Sequence, residues 1–443
     1  MNNPETTANP ERWLILSHAF NMDGRAASQT ITDKLPHLRT MGIEPVIVSS
    51  VLGGQDEKFA HHQVWPIGGA GLRFDLRHVI RRYIGTGLAY KISVFLITLL
   101  LSPLILLEKL LFGLDSQASW AVTAYLYSLY LIKKHKIKVV YSTGGAYSAH
   151  LAGYWLKRAT GIGWIVEIHD PMIRLNELGA VEASRNAKFW AKMERRICHH
   201  SDIAWWFTEG ALAKGRARHP LATAKLDCLM PGAEPPDVPM VQYAPGDRCN
   251  LAHFGSLSNT RSLKYFLMGF AVWAKVHPAA AAQVTIQIYG AQLDTESTKV
   301  VTEQQLRPYL KVFGRIEYSE SLKLSGRQQV NMAMRQVDCL LLTHGDSDEC
   351  SEYIPSKFYE YLWANRPQLM MIHANPQLKK LGEDYGFYVT PATDFEGIAV
   401  FLQQMFEDWQ ARSLKFIQPS VKPIDVKTCT EQIVRWVREM RSA

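Results

Sequence analysis

The chain has 443 residues and a formal net charge of +8. That length exceeds what one hydrophobic core usually supports, so two domains of about 200 residues each are expected. The positive balance points to an anionic partner, but no run interleaving basic and aromatic side chains marks a nucleic acid; Arg73, Arg77, Arg81 and Arg82 instead cluster just before the most apolar stretch, which favours a membrane surface.

Residues 13–17 (WLILS) read as a first strand, a loop with Asn21, Asp23 and Gly24 follows, a helix spans about 26–41, and residues 45–49 (PVIVS) form the next strand. This is a βαβ opening. The loop has a single glycine and no GxGxxG spacing, so a nicotinamide cofactor is not supported. The opening MNNPETTANPER is polar and lacks the apolar core of a secretion signal. Six cysteines (Cys198, Cys228, Cys249, Cys339, Cys350 and Cys429) form no CxxC pair, so neither a zinc site nor a disulfide framework is indicated. A cytoplasmic setting is expected.

Residues 92–113 (ISVFLITLLLSPLILLEKLLFG) are long and apolar enough to cross a bilayer as a helix. A single crossing would put strands 13–17 and 139–142 on opposite sides of the membrane, although the alternation places both in one sheet. Pro103 interrupts the run and Glu108-Lys109 lie near its end, so an element lying in one leaflet is expected, with a buried interdomain or dimer helix as the other reading.

Strand 139–142 leads to Gly144-Gly145 and a helix from Tyr147; strand 164–168 leads to His169-Asp170; strand 203–207 leads to Thr208-Glu209-Gly210. Residues 231–247 hold five prolines and no periodicity, the natural hinge between an N-terminal domain (1–230) and a C-terminal one (248–420). In the latter, strand 251–254 leads to Gly255-Ser256-Leu257 and a helix over 263–276, strand 284–289 ends at Gly290, and further strands span 311–313, 337–343 and 368–372. Residues 421–443 close the chain with an amphipathic helix. Two Rossmann-like lobes with a cleft are expected, with ligands at the carboxyl ends of the strands.

Glu352 and Glu360 straddle a Pro355-Ser356 turn, with Ser356 the expected N-cap and the helix beginning near Lys357. Free N–H groups at such a helix start attract phosphate, while flanking carboxylates suit ribose or sugar hydroxyls. Asp346-Ser347-Asp348 has the look of a metal-binding DxD but lies in the loop before Glu352, and His199-His200 with the preceding Lys188, Lys192, Arg195 and Arg196 reads as the basic end of a helix. No metal is expected.

The Glu-x7-Glu spacing of Glu352 and Glu360, with Pro-Ser-Lys before the second, resembles family 4 glycosyltransferases, and the surface-polysaccharide members above all. The resemblance covers nearly the whole chain. It implies the α/β GT-B fold, two facing Rossmann-like domains with parallel sheets, here with an apolar membrane-associating segment in the first. Glu360 would bind the donor ribose, with Glu352 near the transferred sugar or its phosphate, although the family's Glu-Gly-Phe-Gly start is replaced by Glu352-Tyr353-Ile354-Pro355. The loop from Gly255 to Arg261 is similar to the family's Gly-Arg-Leu loop, with Ser256 in place of the arginine and Arg261 at the second basic position. Gly255, Ser256, Arg261, Gly290, Pro355, Ser356, Lys357 and Glu360 are thus the donor-binding set. His169 would contact donor sugar or acceptor, with Asp170 its orienting partner or a substrate ligand. Asp23, Gly24, Gly144 and Gly145 would face the acceptor.

The expected activity is that of a retaining, hexosyl-type glycosyltransferase, independent of metals and cofactors. It would move a sugar from a nucleoside-diphosphate donor to a lipid-linked or glycan acceptor at the inner face of the cell membrane. A nucleotide-sugar epimerase or hydrolase of the same architecture, or a non-catalytic scaffold of polysaccharide assembly, are the alternatives.

Overall fold

The computed structural model describes residues 10–22, 25–111, 118–173, 184–239, 243–290, 292–414 and 422–442. The chain divides into two units: residues 1–207, 212–230 and 426–443 form the first, residues 208–211 and 231–425 the second.

The first unit runs β1 (Glu11–Leu16), α1 (Ala26–Thr32), α2 (Lys34–Thr40), β2 (Ile43–Ser49), β3 (Ala60–Gln63), α3 (Gly69–Ile84), α4 (Leu88–Leu111), α5 (Trp120–His135), β4 (Val139–Gly144), α6 (Tyr147–Thr160), β5 (Gly163–Ile168), α7 (Arg185–His200), β6 (Ile203–Trp206), α8 (Glu209–Arg218, from Leu212 on) and β7 (Lys225–Cys228). Its seven strands lie in the order β3-β2-β1-β4-β5-β6-β7, paired parallel throughout. The central strands are nearly continuous apolar runs, buried from Trp13 to Leu16 and from Trp164 to Ile168, because helices cover both faces of a parallel sheet. The helix expected over 26–41 is two helices. Pro36 has no N–H for the carbonyl of Thr32 and its ring crowds that carbonyl, so the chain breaks at Asp33.

The second unit runs β8 (Cys249–Phe254), α9 (Lys264–Val276), α10 (Pro278–Ala281), β9 (Val284–Tyr289), α11 (Thr295–Glu303), β10 (Leu310–Gly314), α12 (Gly326–Gln336), β11 (Cys339–Thr343), α13 (Ser356–Ala364), β12 (Gln368–Ile372), α14 (Pro376–Asp384), β13 (Tyr388–Pro391) and α15 (Phe395–Gln410). Its six parallel strands lie in the order β10-β9-β8-β11-β12-β13. The last helix, α16 (Val426–Ser442), returns to the first unit. Cys429, Ile433, Trp436 and Val437 form its buried stripe, and Trp436 meets Trp205 of β6 at 5.9 Å between ring centroids.

α3 and α4 form a hairpin outside the sheet. A Cβ on Gly69 would meet Leu104 at 2.9 Å, so only glycine allows this approach. α4 is apolar along 24 residues with Pro103 inside it, and none of its residues is buried; it is no core helix of this chain. β1 and β4, on either side of the hairpin in sequence, pair from Trp13–Val139 to Leu16–Ser142, which rules out a lone crossing between them. The four arginines before α4 do not all face outward. Arg82 donates to the carbonyls of Val51, Leu52 and Gly53, and Arg73 donates to Thr98 Oγ1 at 2.7 Å.

Candidate functional site

In the second unit, β9, β8 and β11 lie side by side and their carboxyl ends carry most of the expected donor residues. Gly255 follows β8 at φ +132° and Gly290 follows β9 at φ +87°, values that favour glycine. A Cβ on Gly290 would lie 3.3 Å from Gly255 N, so the two loops abut. A Cβ on Gly255 would lie 3.9 Å from Lys357 Cγ and 3.9 Å from His253 Nε2. Gly255, Gly290 and Lys357 are therefore brought together, with Ser256 exposed beside them.

The helix start differs from the expected one. α13 begins at Ser356, not Lys357, and Pro355 rather than Ser356 occupies the cap position, with no side-chain cap. The uncapped first N–H groups remain for an anion. Tyr361 holds this helix against the sheet: its hydroxyl accepts from Phe254 N at 3.0 Å and donates to the Leu341 carbonyl at 3.4 Å. Lys357 Nζ lies 2.6 Å from Glu360 Oε2, so two members of the expected donor-binding set, one of them the expected ribose ligand, form an ion pair. Two further N–H donors of Lys357 and the second oxygen of Glu360 stay available.

Glu352 closes the 3₁₀ turn Asp348–Glu352 and is only 7% exposed, a buried carboxylate rather than an open loop residue. Its carbonyl accepts from Thr208 Oγ1 at 2.8 Å. The next residue is clamped as well. The Tyr353 carbonyl receives His344 Nε2 and Asn375 Nδ2, each at 2.9 Å, and the Tyr353 hydroxyl donates to the His344 carbonyl.

Arg261 ends a tight turn closed by backbone bonds to Ser258. Among the described residues its guanidinium makes no hydrogen bond or ion pair, yet its charge reaches His253, His344 and Tyr353. An unengaged fork of donors is suited to a bidentate grip on phosphate. His253, which sequence reasoning missed, lies beside Gly255 and feels that charge. Its Nδ1 lies 3.2 Å from the Leu341 carbonyl, an acceptor only, so Nδ1 carries the proton and the buried Nε2 is left with a lone pair. Burial, opposed by that carbonyl and aided by the charges of Arg261 and Lys357, pushes its pKa down to about 4. The available signal was a histidine in an apolar strand two residues before a glycine.

In the first unit, the adjacent ends of β4 and β5 carry the remaining candidates. Gly144 has φ +114°, α6 starts at Tyr147 with no side-chain cap, and a Cβ on Gly145 would lie 3.0 Å from Asp170 Oδ2. Gly144, Gly145 and Asp170 are thus neighbours. The orienting partner of His169 is not Asp170. His169 Nε2 lies 2.7 Å from Glu167 Oε1 and 3.0 Å from Thr143 Oγ1, because residues two apart near a strand end share a face. Glu167 is fully buried and also receives Lys34 Nζ at 2.8 Å and the Tyr141 hydroxyl at 2.5 Å. Burial acts to raise its pKa, but the Lys34 ammonium and the hydrogen bond and charge of His169 outweigh it and hold the carboxylate well below its usual range. A glutamate inside the apolar run WIVEI was the overlooked sign. Asp23 and Gly24 lie outside the described residues.

Asp346 pairs with Lys264 at 3.1 Å, whereas Asp348 is almost fully exposed, so the two carboxylates of the DxD-like run are engaged separately. His199 and His200 end α7, as its basic composition implied.

No family model matches the sequence, and no curated protein sequence matches it. Solved structures do. Staphylococcus aureus TarM, in a mutant form with fondaparinux, α-GlcNAc-glycerol and UDP, superposes with a TM-score of 0.62 at 10% identity, covering 98% of this chain and 100% of that one. Anabaena HepE in complex with UDP-glucose gives 0.56 at 11% identity, covering 97% and 99%. The α,α-trehalose 6-phosphate synthase of Burkholderia multivorans gives 0.58 at 10% identity, covering 98% and 97%. With two Rossmann-like, parallel-sheet domains matched over nearly their full length by these neighbours, the chain has the GT-B fold.

Proposed function

We propose that the protein is a metal-independent, retaining glycosyltransferase of the family 4 type that moves a sugar from a nucleoside-diphosphate donor to a lipid-linked or glycan acceptor at the cytoplasmic face of the membrane, in polysaccharide assembly. The observation that carries this reading is the donor half in the second unit: Lys357 and the uncapped start of α13 lie against the abutting Gly255 and Gly290 loops, and the charge of Arg261, unengaged among the described residues, reaches His253 beside them. Preorganised donors of this kind stabilise charge developing on a departing pyrophosphate. Neighbours of the same fold solved with UDP or UDP-glucose support the donor class. Glu360 takes the ribose hydroxyls, His169 and Asp170 face the reacting sugar, and Gly144-Gly145 at the α6 start receive the acceptor.

Screening nucleoside-diphosphate sugars by thermal shift tests the reading. The cognate donor at a hundredfold excess over its Kd stabilises the protein by about 2.7 kcal/mol, and Glu360→Ala diminishes that shift while leaving the unliganded melting temperature in place. Stabilisation by none of the compounds contradicts the donor site. Chain extension of a glycan by the purified protein separates a transferase from an epimerase, a hydrolase or a scaffold.

α4 supplies the membrane contact in this reading, through exposed residues such as Phe95, Leu96, Leu99 and Leu100. Two aspartates at Leu96 and Leu100 cost about 2.5–3.5 kcal/mol each in a bilayer interior. The double variant is expected to stop co-floating with anionic vesicles, and undiminished flotation removes the membrane role.

A further inference from the structure

Between α4 and the helices α5, α6 and α7, the first unit holds a cavity of about 520 Å³, within the range of roughly 300–1,000 Å³ typical of small-molecule sites. Its walls are apolar: Leu104 and Leu107 from α4, Val122 from α5, Leu151 and Trp155 from α6, and Phe189 from α7. They offer a polar ligand almost nothing to hydrogen-bond.

Two charged side chains reach this cavity, and they are not equivalent. Glu108 Oε2 accepts the backbone N–H of Ala70 at 2.9 Å, so its charge is matched by the start of α3. Arg196 lies over the Tyr154 ring at 5.0 Å and, among the described residues, has no carboxylate within ion-pair distance. Its charge adds to those of Arg158 and His199, which with burial depress His200. One end of an apolar cavity is therefore positive.

The cavity also adjoins the expected acceptor loop. Tyr147, Leu151 and Trp155 are four residues apart on α6 and share one face, and the Tyr147 ring meets Phe189 at 4.7 Å. Tyr147 itself opens α6 just after Gly144-Gly145. A wall thus leads from the carboxyl end of the sheet into the cavity, while the other side of the cavity is the helix whose outer leucines are exposed.

Resting on the glycosyltransferase reading above, we infer that this cavity receives the hydrocarbon chain of a lipid-phosphate acceptor, with Arg196 holding its phosphate. The apolar walls take the chain, the unmatched guanidinium takes the anionic head, and the hydroxylated end is directed to the Gly144-Gly145 loop. Seven residues of α7, about 10 Å of helix, separate Phe189 beside that loop from Arg196, so the phosphate and the reacting end occupy different places.

The test uses the purified full-length protein in detergent micelles and an isoprenyl phosphate bearing a diazirine on its chain, with peptide mapping after irradiation. Label is expected around Leu107, Leu151 and Trp155, displaced by untagged isoprenyl phosphate but not by phosphatidylglycerol. Val122→Trp fills the cavity and should cut labelling about tenfold. Arg196→Gln should weaken labelling by the phosphate and leave labelling by the tagged uncharged isoprenol unchanged, which keeps the inference testable if Val122→Trp fails to fold. Label outside the cavity, or equal labelling of wild type and both variants, overturns it; displacement by phosphatidylglycerol overturns the acceptor in favour of a bilayer lipid. Labelling as expected without sugar transfer upholds the lipid site and defeats the transferase reading.

Discussion

Replacing Arg261 with alanine is expected to lower donor turnover about 10²–10³-fold, the usual loss when one preorganised donor to a developing oxyanion is removed, without lowering the melting temperature. Both halves follow from its surroundings. The guanidinium makes no bond among the described residues, so its removal breaks nothing in the fold, while its charge reaches His253, whose ring lies next to Gly255. Arg261→Lys keeps the charge but loses the planar fork, and should recover only part of the rate. Initial rates at saturating acceptor, read beside thermal melts, check both points. Wild-type turnover in Arg261→Ala would refute the pyrophosphate assignment.

The second large effect concerns stability. Lys34 and Glu167 are both fully buried and 2.8 Å apart, so Lys34→Met leaves a carboxylate in the sheet without its ammonium. Removing one partner of a buried pair typically costs about 3–5 kcal/mol, which for a domain of this size lowers the melting temperature by roughly 6–20 °C. Lys34→Met combined with Glu167→Gln removes both charges and should cost much less. The pH dependence has a definite sign. The folded-state pKa of Glu167 is depressed, so its contribution is fully present above the unfolded carboxylate value of about 4.3 and is lost as the pH falls through the lower folded value. Lys34→Met raises that folded value toward the unfolded one, so the part of the acid-induced fall in melting temperature that comes from Glu167 should be smaller than in the wild type. Identical melts of wild type and Lys34→Met at pH 7 would contradict the network.

Much of this architecture is legible in short sequence patterns. WLILS, WIVEI and the run at 337–343 are central strands because continuous apolar stretches belong in parallel sheets covered on both faces. Gly255 and Gly290 stand where the chain needs positive φ. The edge strands β3 (AHHQ) and β7 (KLDC) carry no such run and escaped notice, since one buried side chain in each, His61 and Leu226, makes no apolar pattern. The return of α16 to the first unit was equally hidden, because an amphipathic stripe does not name the surface it covers.

At the site, local rules went astray where a distant residue decides. Asp170 is adjacent to His169 in sequence, but Glu167 shares its face and Lys34, 133 positions from that glutamate, fixes the charge. Ser356 is a good cap by composition, yet Pro355 takes the cap position and leaves the amides open. Lys357 and Glu360 were each assigned a ligand group, whereas three residues' spacing on a helix lets them find one another.

The most direct test of the account is a crystal structure with a nucleoside-diphosphate sugar bound. The diphosphate is expected against the Gly255 and Gly290 loops, with Arg261 on its oxygens, the α13 start donating to it and Glu360 on the ribose. A donor bound firmly at another place, with Arg261 and the α13 start untouched, would contradict it.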